Sequence, residues 1–171
     1  MLKLSPSRIG IPVVLALVLA TAAIAGPPWI AIEYPANPHD PGTRGALFTV
    51  RTYHHGELVS YDLTGTAEGL VNGKRQSTPL DIKRLSSPGM YAVRWQKPAQ
   101  GTWVLVVTSK REGQFAASAV VSIDGAGRVA GVNVPSDPIE GGRWLVPRKV
   151  AANEIDAMLR GASAVALRQS K

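Results

Sequence analysis

The chain has 171 residues and no cysteine, and its formal net charge is +7. That length suits one domain with a core of its own, and the lack of cysteine excludes disulfides, thiolate metal centres and thiol chemistry. Two of the 19 basic residues, Lys3 and Arg8, precede an apolar run, so the rest carries 17 against 12 acidic residues, or +5.

Residues 1–25 have the order of an export signal. Lys3 and Arg8 lead into the apolar run Ile9 to Ala25, which closes on the small residues of Ala23-Ile24-Ala25, with cleavage expected before Gly26. The alternative is an uncleaved amino-terminal anchor helix, giving membrane association through residues 9–25. A helix of that length reaches roughly 25 Å, a little under the ~30 Å hydrocarbon core. Both readings place the rest of the chain outside the cytoplasm, periplasmic or extracytoplasmic, with Lys3 and Arg8 left on the cytoplasmic side.

From Gly26 to Arg44 the chain is rich in proline, and a first strand over Trp29 to Tyr34 is followed by an irregular loop through Pro35 to Gly42. Short strands separated by turn signals come next. Leu47 to His54 and Leu58 to Leu63 flank His55-Gly56, while Thr66 to Val71 and Ser77 to Leu85 flank Asn72-Gly73, so two consecutive hairpins are expected. In the next segment Tyr91, Val93 and Trp95 alternate with Met90, Ala92, Arg94 and Gln96. After Lys97 to Gly101 the pattern resumes at Trp103, Leu105 and Val107. Period-two alternation on both sides of the connection means two antiparallel strands, each with one face on a core. Phe115, Ala117, Ala119, Val121 and Ile123 form a further alternating face, and Asp124 to Gly127 turns the chain into Val129 to Val134.

About eight short strands with turns every 8 to 12 residues describe an all-β, immunoglobulin-like antiparallel β-sandwich over residues 26–135. Residues 136–149 have the composition of a linker. Over 150–168 the period changes: Ala151, Ile155, Met158, Leu159, Ala162, Val165 and Ala166 share one side of a carboxy-terminal α-helix expected to dock on the sandwich, with Asn153 as its cap or Val150 as its start.

Gly89-Met90-Tyr91-Ala92-Val93, followed by Pro98 to Gly101 and Thr102-Trp103-Val104-Leu105-Val106-Val107, resembles the closing hairpin of the FixH/YtkA-like exported domains, in which a Gly-x-Tyr strand precedes a Gly-x-Trp strand. Phe48-Thr49-Val50-Arg51 and the turn at His55-Gly56 are similar to that family's opening strand and turn. The resemblance covers roughly Ala46 to Val107. Between its halves, Gly65 to Gly73 stands where a Met-rich loop is common in the family. The resemblance implies a small extracytoplasmic sandwich with an accessory role.

Three groups of residues are candidates for function. His39, His54 and His55, with Asp40 and Glu57 close by, are acceptable ligands for copper or zinc. Consecutive rings on a strand point to opposite faces, so His54 and His55 can share an ion only if a turn intervenes. Trp29 and Trp144, near the ends of the domain, are candidates for an exposed binding patch, whereas Trp95 and Trp103 fit the core. Glu68 and Asp81 are the acids open to reading as a carboxylate pair. No nucleophile elbow or metalloprotease helix is present, and the basic pairs Lys74-Arg75, Lys83-Arg84, Lys110-Arg111 and Arg148-Lys149 form no aromatic-interleaved stripe for nucleic acid.

The function expected is that of a non-enzymatic, exported binding or accessory module at the cell envelope. It would use no cofactor, and an envelope protein or polymer would be its partner. The alternatives are a periplasmic copper- or zinc-binding chaperone using the three histidines and, third, a hydrolase.

Overall fold

The structure is a computed structural model that describes residues 29–110, 116–139 and 145–169, with side chains to residue 162. The expected signal or anchor segment, Phe115 and Trp144 lie outside the described residues.

Among the described residues twelve strands and one long helix follow one another, and the strands form two antiparallel sheets and a small hairpin. The first sheet holds β1 (Trp29–Glu33), β2 (Phe48–His54), β7 (Met90–Arg94) and β6 (Asp81–Arg84) in that spatial order, with β3 (Glu57–Leu58) added on β2. The second has the order β10 (Val129–Asn133), β9 (Ala117–Ile123), β8 (Thr102–Lys110), β4 (Asp62–Val71), β5 (Lys74–Pro79).

Alternation along the strands decides which residues meet. Phe48, Val50, Tyr91 and Val93 from the first sheet and Ala67, Trp103, Leu105, Val107, Ala119 and Val121 from the second form one buried apolar cluster. Tyr91 and Trp103, each on the apolar side of its alternation, are 3% and 2% exposed. The arrangement is consistent with a β-sandwich closed by burial of apolar area, with no covalent staple.

Pattern reading misplaced several elements. β7 and β8 do not form a hairpin: they lie in different sheets and face each other across the core, the Lys97 to Gly101 connection carrying the chain over. The expected strand Ser77 to Leu85 is split. β5 pairs with β4 and β6 with β7, and the chain changes sheet at Leu80. The expected strand Leu58 to Leu63 is likewise divided, its first residue closing the β2–β3 hairpin and its end opening β4. Part of the segment read as a linker pairs, as β11 (Ser136–Pro138) with β12 (Leu145–Pro147).

The helix α1 (Ala152–Gln169) packs on the outer face of the second sheet, where Val104, Val106 and Val120 join Val150, Ile155 and Leu159 in a second buried cluster. The centre of the second sheet, at β8 and β9, is therefore covered on both faces, while β5 and most of β10 stay exposed. Neither Asn153 nor Val150 opens the helix. Glu154, in its first turn, accepts a hydrogen bond from the Ala151 N–H at 2.8 Å, half of a capping box. Arg148 clamps the same carboxylate with two bonds of 2.7 and 2.8 Å and reaches Asp137 on β11 at 2.9 Å, joining the small hairpin to the helix. Further along, Asp156 pairs with Arg75 of β5.

Candidate binding surface

The β2–β3 turn is built by His55 and Gly56, whose φ angles are 52° and 84°. Two successive residues of positive φ make the tight reversal that matches strand twist, and it fixes the register: His54 faces Glu57 and Tyr53 faces Leu58. The same turn answers the question of the two histidine rings. Because His55 leaves the strand conformation, its ring does not alternate away from His54, and the two meet edge to face at 4.3 Å between centroids.

The Nε2 atom of His54 is buried without a hydrogen-bond partner. His39 sits on the β1–β2 loop, exposed, its N–H bonded to the Asn37 side chain at 3.0 Å. Among the described residues no group of three or more metal-binding side chains converges, so His54 and His55 are brought together and His39 is not brought to them.

The outer face of the first sheet carries a different grouping. β1 pairs with β2 so that Trp29 lies opposite Tyr53, and β3 pairs with β2 so that Leu58 lies opposite Tyr53 on the other side. Trp29, Tyr53 and Leu58 thus form one row across three strands. Their neighbours along the strands, Ile30 and Thr52, are wholly buried, which turns the row outward. Trp29 is 44% and Leu58 37% exposed. In the adjacent row Arg51 stands between Ala31 and Met90, and its guanidinium meets Glu33 at 2.7 Å. A hydrogen bond with the Tyr53 side chain is the largest influence and raises the Arg51 pKa above its ordinary value; burial opposes it, and the charge of Glu33 adds to the rise.

Trp29 was legible as a surface aromatic, and Trp144 lies outside the described residues. Tyr53 and Leu58 were missed. The two-residue turn at His55-Gly56 already dictated their pairing, whereas the pairing of β1 with β2 across the long proline-rich loop had no local signal.

The remaining polar clusters hold the fold. Glu68 accepts from Arg75 at 3.0 Å and from Ser77 at 2.8 Å. Its pKa is lowered, the hydrogen bonds from Thr66, Ser77 and Arg75 together outweighing burial, which is the largest single influence and acts the other way. Asp81, on β6 opposite Arg94, belongs to the other sheet. The two acids are therefore no carboxylate pair.

No protein-family model matches the chain, and no match to a curated protein or to a solved structure was found.

Proposed function

We propose that the chain is an exported, non-enzymatic sandwich of immunoglobulin-like topology that serves as a binding or accessory module of the cell envelope. The strand order supports the topology: β1-β2-β7-β6 opposed to β9-β8-β4-β5 is the order in which the A, B, E and D strands oppose G, F, C and C′ in such sandwiches. The FixH/YtkA-like resemblance carried by Gly89 to Val93 and Thr102 to Val107 is in keeping with it, those segments standing in the E and F positions. Export rests on Lys3, Arg8, the run Ile9 to Ala25 and the small residues that close it.

The observation that carries the binding reading is the outward row Trp29–Tyr53–Leu58. Large apolar side chains shown to water in contiguous rows mark interaction surfaces more often than isolated ones do. Fractionation of cells expressing the full chain, with amino-terminal sequencing of the recovered protein, tests the location. Recovery from the envelope is the expected result, beginning at Gly26 if the segment is a signal and at Met1 if it is an anchor. Recovery from the cytosol would overturn the reading.

A second reading is favoured by one observation, the 4.3 Å approach of the His54 and His55 rings with Glu57 opposite His54. It is a site for copper or zinc on the β2–β3 turn, the ion being handled rather than used for catalysis.

A further inference from the structure

The partner of the outward row follows from where the row sits along the chain. Trp29 is the first residue of β1, and the apolar run read from the sequence ends at Ala25, four residues earlier. Four steps of extended chain reach no more than ~14 Å. Tyr53 and Leu58 lie one and two strands to the side of Trp29, about 5 and 10 Å away at ordinary strand spacing. The whole row therefore lies within reach of the point where a segment held in a bilayer would leave the hydrocarbon. Tyr34, the other exposed aromatic next to β1, is at the far end of the strand, roughly 17 Å off.

The chemistry of the row fits that position. Tryptophan and tyrosine concentrate at the membrane–water interface, where an apolar ring and a polar tip are both accommodated, and Leu58 and the half-buried Met90 widen the apolar part of the surface. Arg51 sits behind Tyr53 in the next row with its charge countered by Glu33, so the surface is not one built to seize strongly anionic polymers.

We propose that the Trp29–Tyr53–Leu58 row seats on the lipid interface of the membrane that holds residues 9–25, laying the outer face of the first sheet against the bilayer. The inference rests on the exported-module reading and deepens it. It makes residues 9–25 a retained anchor, and it leaves β10, the small hairpin and the helix-covered sheet available for a protein partner.

The absence of cysteine makes the test direct. The full chain, as Leu58→Cys carrying an environment-sensitive fluorophore, is reconstituted into vesicles of phosphatidylcholine and phosphatidylglycerol containing a lipid with a quencher near its headgroup. The same label at Val132→Cys, an exposed position on β10 of the other sheet, is the reference. The expected result is a blue shift and severalfold stronger quenching at position 58 than at 132, with Trp29→Ser reducing both at position 58 while the chain still floats with the vesicles.

Equal quenching at the two positions in chains that float with the vesicles would overturn the docking and leave the exported-module reading intact, since the latter fails only if cells retain the protein in the cytosol. A blue shift at position 58 that grows with protein density and is indifferent to the lipid quencher would also overturn it, assigning the face to a second copy of the chain. Failure of the chain to float would remove the anchor and the docking together.

Discussion

The Trp103 indole lies flat on Gly69, its directly opposed partner on β4: a Cβ at position 69 would come within 2.6 to 2.7 Å of three ring atoms. The missing side chain is what lets the largest fully buried residue of the core lie down across the neighbouring strand. The ring is fixed from its other end by the bond from Nε1 to the Gln100 carbonyl at 2.9 Å, and Trp95 packs on it at 5.7 Å.

From this contact we expect Trp103→Ala to cost about 3 to 5 kcal/mol, the usual range for emptying an aromatic core position. Gly69→Ala should cost about 1 to 3 kcal/mol by overpacking. Urea unfolding of the two single variants and the double variant checks the link. The Gly69→Ala penalty should largely disappear once Trp103 is gone, and additive penalties would show that the alanine is resisted by something other than the ring.

How far the sequence disclosed this fold is best seen in β8. The alternation of Trp103, Leu105 and Val107 identified the inner face, but Val104 and Val106 between them are just as apolar, and a strand covered on both sides reads as a continuous run. The docked helix is the reason, and its own apolar stripe of Ile155 and Leu159 was legible. What alternation cannot say is whether two successive strands are neighbours or opposites: β7 and β8 show the same period either way. The change of sheet at Leu80 is marked in the sequence by Pro79 and Asp81 on either side of it, both poor strand formers, and a reading that ran Ser77 to Leu85 together as one strand passed over that break. Of the candidate surface, Trp29 was visible as an aromatic outside the core, whereas its company with Tyr53 depends on a pairing made across fourteen intervening residues, Tyr34 to Leu47.

A second expectation concerns Gly161. It stands inside α1 with ordinary helical backbone, and a Cβ built there meets nothing within 4 Å. Glycine costs a helix about 1 kcal/mol relative to alanine, so Gly161→Ala should raise stability by roughly 0.5 to 1 kcal/mol. Thermal unfolding followed at a core tryptophan reads the effect. An unchanged midpoint would mean that this part of the helix separates from the sheet before the core melts.

The clamp at the start of α1 gives the fold a defined acid response. The Arg148 guanidinium, and after it the Ala151 N–H, hold the Glu154 carboxyl down at about 2. The unfolded chain releases the same proton near the ordinary carboxylate value of ~4.3. A carboxylate depressed in the folded state stabilises the fold fully above the unfolded value and loses that contribution as pH falls through the folded one. Glu154→Gln should therefore melt below the unaltered protein at pH 7. The gap should narrow from about pH 4.5 downward and close near pH 2. A gap that stays constant across that range would show that the carboxylate's charge is not what Arg148 contributes through.

The histidines supply the last expectation. Two imidazoles meeting edge to face on a tight turn offer a divalent ion two donors, with Glu57 across the strand pair as the nearest further oxygen ligand in register. Copper and zinc sites of high affinity take three or four protein ligands at about 2 Å, and His39 is held on a separate loop by its bond to Asn37. Titration of Cu(II) and of Zn(II) into the protein, with the triple variant His39→Ala, His54→Ala, His55→Ala as control, should therefore give no affinity tighter than roughly micromolar. Any weak copper binding should fall when His54 or His55 alone is replaced and should be indifferent to His39→Ala. Nanomolar binding abolished by the triple variant would give the ion-handling reading precedence over the binding-module reading, and a contribution from His39 would mean that the β1–β2 loop moves to bring its ring to the turn when the ion is present.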